Sequence, residues 1–171
     1  MLNSLSRTAD AVSRWLAYLS GGAIFLIAAL QVLEIASRNL LDRSLSIVWE
    51  VGPYLHVAAI FLAAAYTLRT GGHIRVTLAQ RLHPRAFELL ATLVGTVVSL
   101  FLTAALVKFA WNYGVTGRTS GTTNNIALVW PAAAMAFGAT MLSLQLVLRL
   151  ALALRGRPVE VAAPHESLSA D

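Results

Sequence analysis

The residues Trp49-Glu50-Val51-Gly52-Pro53-Tyr54 open a stretch that passes through an alanine-rich apolar run, 57–65, and closes on Arg69-Thr70-Gly71-Gly72-His73-Ile74-Arg75-Val76. From Val51 to Leu68 it holds no Asp, Glu, Lys or Arg. That is close to the length a helix needs to cross the hydrocarbon core of a bilayer. A carboxylate and an indole mark one mouth of the segment, and Arg and His mark the other. It reads as a buried spanning helix, with three further apolar runs arranged around it.

The composition agrees. The 171 residues are 57% hydrophobic and only 12% charged, with a mean hydropathy of +0.69. A soluble domain carries about a quarter charged residues, so a water-soluble reading would demand an unusually apolar surface. The net charge of +5 does not point to nucleic acid. The basic residues sit in short segments between apolar runs, where membrane topology places them, and a basic surface interleaved with aromatics is missing. With no cysteine in the chain, disulfides, thiolate metal sites and Cys nucleophiles are excluded.

The spacing predicts an all-α, polytopic membrane protein with four spans at about 15–35, 47–69, 85–113 and 127–149. Together they form one membrane domain over 1–155. The apolar run after residues 1–14 is longer than a signal-peptide core and lacks a small-x-small cleavage site, so it is expected to be retained. Gly21-Gly22, with Ala17, offer a point of close helix approach in span one. Glu34 and Arg38 are at i and i+4, so an ion pair is available at its exit. A short loop, 39–46, follows, with Ser46 as the expected N-cap of span two. Gly71-Gly72 would end that span. In 73–85, Ile74, Val76, Leu78 and Leu82 are interspersed with Arg75, Arg81 and His83, which predicts a short interfacial helix between spans two and three. Pro84 opens span three. Gly95, Ser99 and Thr103 form a small-residue stripe along it, and Ala132, Ala136 and Thr140 form another in span four. Residues 116–125 read as an exposed loop, and 156–171 as a disordered cytoplasmic tail.

Nine of the 13 Lys and Arg residues precede span one, lie between spans two and three, or follow span four. The positive-inside rule then places both termini in the cytoplasm. Arg38, Arg43, Lys108 and Arg118 are left for the opposite side.

Chemistry is sparse. Ser20, Ser99 and Ser143 lie in spans without a partnered base or a Gly-x-Ser-x-Gly turn, so they read as packing hydroxyls and no enzyme is expected. No metal-binding spacing appears. Of the four histidines only His56 lies within a span, too few for bis-His haem ligation, so no cofactor is expected. Glu34, Glu50 and Lys108 all lie near span ends rather than at the midplane, where substrate and ion pathways are marked. The chain reads as a well-packed small bundle with little machinery, which suggests a subunit.

The run Arg38-Asn39-Leu40, Ile47-Val48-Trp49-Glu50-Val51 and Ala63-Ala64-Ala65-Tyr66-Thr67-Leu68-Arg69-Thr70-Gly71-Gly72-His73-Ile74-Arg75-Val76 resembles the small, DctQ-type membrane subunit of tripartite ATP-independent periplasmic (TRAP) transporters. Leu82-His83-Pro84-Arg85 and Val129-Trp130-Pro131 extend the resemblance, so that it covers most of the chain between Arg14 and Arg155. Two positions depart from the pattern, Val51 and Thr77, where members of the family often carry an acidic residue.

The resemblance implies a multi-pass protein of the bacterial inner membrane. A large multi-span permease subunit would carry the substrate and sodium sites, and a periplasmic substrate-binding protein would capture an organic acid. Import would be driven by the ion gradient without nucleotide hydrolysis. This chain would be the scaffold beside the large subunit. Arg38, Arg43 and Glu50 would lie on the periplasmic side, where the binding protein docks. Arg69, His73 and Arg75 would meet the large subunit or membrane lipids on the cytoplasmic side. For Arg38, Arg43 and Glu50 the simpler reading, interfacial anchoring, is the favoured one. The competing function is a stand-alone four-span carrier working as a homo-oligomer.

Overall fold

A computed structural model describes residues 2–70 and 84–155. They form four long helices: α1 (Leu2–Leu41), α2 (Ser46–Arg69), α3 (Pro84–Thr116) and α4 (Val129–Leu154). Each is long and apolar enough to cross a membrane. The all-helical, four-span expectation therefore holds. Among the described residues the only extended pairing is a single antiparallel bridge, Thr119 with Ala127. The Gly71-Gly72 helix end, the interfacial helix over 73–85 up to Leu82-His83, and the tail at 156–171 lie outside the described residues.

The helices are longer than the spans read from hydropathy, most of all α1. Its 40 residues extend about 60 Å at 1.5 Å per residue. The polar start stays helical because Ala9, Ser13 and Leu16, at helical spacing, are buried against the other helices. The loop expected at 39–46 shrinks to residues 42–45, with Asp42 at a φ of 56°. Ser46 is not the cap of α2. Leu45 takes the N-cap position and no side chain of its own caps the turn, because a carboxylate from α1 reaches across to its backbone N–H.

Charge is confined to two levels. Arg14 and Glu34 on α1 are 20 residues apart, Glu50 and Arg69 on α2 are 19, and Glu88 and Lys108 on α3 are 20. On α4 the 19 residues from Trp130 to Arg149 span the same rise. Each interval is about 29–30 Å of helix, the thickness of the hydrocarbon core. Within it none of the four helices carries an Asp, Glu, Lys or Arg. The three intervals bounded by charge agree with one another and with the thickness of that core.

The helices form a row rather than a closed square. In space the order is α1, α2, α4, α3: α2 packs between α1 and α4, α4 packs between α2 and α3, and α1 touches α4 only lightly. Of the most apolar part of α4, 44% is buried, against 11% for α1. The outer helices turn side chains such as Phe25 and Phe101 outward.

Three contacts hold the row. The Ser20 hydroxyl donates to the Ala59 carbonyl at 2.7 Å, joining α1 to α2. Gly138 brings α4 onto α2 so closely that a Cβ there would sit 2.5 Å from the Phe61 carbonyl carbon and oxygen. Leu106 of α3 and Ala136 and Ala139 of α4 form the core cluster, with Phe61 of α2 packed on it. The small stripe of span three serves this interior: Ser99 is buried and Thr103 shares a 2.8 Å hydrogen bond with Ser143 of α4. On α4 the stripe splits, with Ala132 and Ala136 buried and Thr140 exposed. Gly21 and Gly22 meet no neighbour within 4 Å, so the approach expected there is made one residue earlier, at Ser20.

Interhelical hydrogen bonds within membranes contribute about 0.6 kcal/mol on average. A double-mutant cycle of Thr103→Val and Ser143→Ala, read by reversible unfolding in detergent, should return a coupling of about that size. Additive effects would show that the two hydroxyls do not share a bond.

Candidate functional site: the two polar ends of the helix row

The end that carries the 42–45 and 117–128 connections is built around two carboxylates. Glu34 on α1 is 1% exposed. Its Oε1 accepts from Arg38 Nη2 at 3.1 Å, Ser44 Oγ at 2.8 Å and Trp49 Nε1 at 3.0 Å, and its Oε2 accepts the Leu45 N–H at 2.6 Å. The last bond satisfies a donor at the start of α2 that no residue of α2 serves. Arg38 also lies 5.5 Å from the centroid of the Trp49 ring, a cation–π distance. One buried acid thus fixes the loop and the angle at which α2 leaves it.

Glu50, one turn into α2, plays the matching part for the other loop. Its carboxylate accepts from the Ser120 and Thr122 hydroxyls and from Asn124, through Nδ2 at 2.8 Å and the backbone N–H at 3.2 Å. Gly121, with a φ of 68°, turns the chain between the two hydroxyl residues, a backbone conformation that glycine adopts without penalty. Ser120 Oγ in turn accepts the Ile126 N–H at 3.1 Å. The loop expected to be merely exposed is therefore clamped to α2 across 70 to 74 positions of sequence.

The opposite end holds a second network. Arg69 of α2 pairs with Asp10 of α1 at 2.8 Å. Gln145 of α4 donates to Asp10 at 3.4 Å and to Ser13 at 3.1 Å. Arg149 of α4 meets Glu88 of α3 at 3.5 Å. These contacts also place the start of α1 and the end of α4 at the same end of the row.

The six residues singled out from the sequence thus divide. Arg38 is engaged by Glu34, Glu50 by the 117–128 connection, and Arg69 by Asp10. Arg43 contributes through its backbone, its carbonyl accepting from Ser37 Oγ at 2.8 Å. His73 and Arg75 lie outside the described residues. Sequence reasoning passed over Asp10, Gln145 and the trio Ser120, Thr122 and Asn124, and it treated Glu34 as a surface partner of Arg38. A buried carboxylate must find donors, and Ser44 and Trp49 just beyond the first loop were the available signal. Nothing local announced the pairing of Glu50 with residues 70 or more positions away.

If Asp10 and Arg69 hold each other, reversing either charge alone should lower the thermal midpoint. Asp10→Arg combined with Arg69→Asp should recover most of the loss. A double variant no better than the singles would show that Arg69 serves a different partner.

Beside Glu50 the surface opens into a groove of about 430 Å³. Ser46, Trp49, Pro53 and Tyr54 of α2 line it together with Thr122 and Asn124 of the 117–128 connection. Among the described residues no group of three His, Cys, Asp or Glu could hold a metal ion.

Four apolar helices with charge only at the two ends define a multi-pass membrane protein. The family described as "Tripartite ATP-independent periplasmic transporters, DctQ component" matches residues 27–156. That range takes in the last 15 of the 40 residues of α1 and all of α2, α3 and α4, and the chain belongs to this family of transporter components. Comparison with curated proteins and with solved structures gives no match.

Proposed function

We propose that this chain is the stationary small subunit of a TRAP-type importer of an organic acid driven by a sodium gradient. It would lie in the bacterial inner membrane with both termini cytoplasmic. It would pack against a large multi-span permease subunit that carries the substrate and ion sites, and offer its 42–45 and 117–128 connections to a periplasmic substrate-binding protein.

One observation carries the reading: the absence of any Asp, Glu, Lys or Arg along about 30 Å of all four helices, with both polar ends tied internally. A carrier that moves an anion needs ionisable or unwound segments near mid-membrane. The helices described here pack through Ala, Gly and hydroxyl contacts instead, which suits a support. The distribution of Arg and Lys, nine against four, supports the orientation.

The test is a mild-detergent pull-down of the tagged chain from its native membrane, with partners identified by mass. A large multi-span protein in near-equal amount is the expected result. Recovery of this chain alone, as an oligomer that transports after reconstitution, would overturn the proposal in favour of a stand-alone carrier.

A further inference from the structure

We infer that the groove beside Glu50 receives a Lys or Arg side chain from the soluble partner that docks at this end of the helix row. The inference rests on the reading of the chain as a TRAP small subunit and names the chemistry of one contact within it.

The two carboxylates at this end differ in one respect. Glu34 is buried and has a cation, Arg38, on Oε1. Glu50 accepts only from neutral donors, two hydroxyls, an amide side chain and one backbone N–H. Among the described residues no Lys, Arg or His lies within ion-pair distance of it. Neutral hydrogen bonds orient a carboxylate but leave its net charge uncompensated. The field of that charge opens into a groove already formed between α2 and the 117–128 connection.

The walls say which cation fits. Tyr54 presents aromatic surface beside the carboxylate, together with Pro53, whereas the Trp49 ring already carries Arg38. Aromatic faces attract organic cations, and the apolar wall suits the methylene stem of Lys or Arg. A bare metal ion would find a single carboxylate and no second acid. The Trp49 indole is held in place by its bond to Glu34, and the carboxylate by the loop, so the receptor is organised before the partner arrives. Preorganisation of this kind removes part of the ordering cost of binding.

The experiment compares the complex of this chain and its large membrane subunit, in nanodiscs, as wild type, Glu50→Gln and Tyr54→Leu. The probe is the purified soluble binding protein of the same transporter. Glu50→Gln keeps an acceptor oxygen for the loop and removes the charge. It should weaken binding roughly fivefold at about 50 mM salt, and the deficit should shrink at about 500 mM, where exposed charge is screened. Tyr54→Leu should weaken binding roughly threefold. Affinity equal to wild type in both variants would overturn the inference, as would a Glu50→Gln deficit that persists at high salt. Loss of the large subunit from Glu50→Gln preparations would place a membrane partner in the groove and also overturn it. So would calcium binding, measured calorimetrically, that Glu50→Gln abolishes. Failure of the wild-type chain to co-purify with any large subunit would instead overturn the functional reading beneath it.

Discussion

Gly138→Leu should be the most damaging single change within the membrane. A Cβ at this position would lie 2.5 Å from the Phe61 carbonyl carbon and oxygen and 2.9 Å from the Phe61 Cβ. Real side chains almost never come so near, and the obstruction is mostly backbone, which cannot rotate aside. The helices would have to part. Parting them disrupts the cluster of Phe61, Leu106, Ala136 and Ala139, and inserting bulk into a packed core costs about 1–3 kcal/mol, occasionally more. Gly138→Ala should show a smaller loss of the same kind. Thermal denaturation in detergent, followed by size-exclusion chromatography, provides the readout. A Gly138→Leu chain that melts with the wild type would mean that α2 and α4 do not cross at this point.

Glu34→Ala should come second, and its effect should be local first and global afterwards. The substitution strands the Leu45 N–H, the Trp49 indole N–H and the Ser44 hydroxyl together. It also removes the counter-charge of Arg38. Ser44 and Trp49 are exposed enough to turn to water, so the loss should fall chiefly on the half-buried Leu45 N–H at the start of α2. Trypsin should then cut after Arg43 several times faster than in the wild type, and the thermal midpoint should fall by several degrees. Glu34→Gln can still accept from part of the set and should fall between. Unchanged cleavage in Glu34→Ala would show that residues 42–45 are held by other means.

What could be read without coordinates follows from how local each feature is. The four spans were legible because hydrophobicity over 20 residues is a property of the segment itself. The Glu34–Arg38 pair was legible because one helical turn separates its members. The packing role of Ser99 was legible from spacing, although the helix it faces was not. Gly21-Gly22 and Gly138 show the limit: all are glycines in apolar helices, and the doublet looked the better contact. Only Gly138 sits at a crossing, because which face of α4 meets α2 depends on the row as a whole. Asp10 and Arg69, 59 positions apart, and Glu50 with the 117–128 connection lie beyond any periodic signal for the same reason.

The row order also bears on how the molecule is made. Chains emerge from the ribosome N-terminal end first, so α1, α2 and α3 are available before α4 exists. In the finished row α4 stands between α2 and α3, whose backbones do not approach each other. Until the last helix arrives, α1 and α2 can pair through Ser20 and Ala59, whereas α3 holds its Ser99 and Thr103 face toward a vacancy. The final helix is thus a keystone. It must enter between two helices already present, and its glycine lets it slide past Phe61 without levering them apart. A nascent chain released before residue 129 would be a hairpin and a solitary helix, with Thr103 deprived of its partner Ser143.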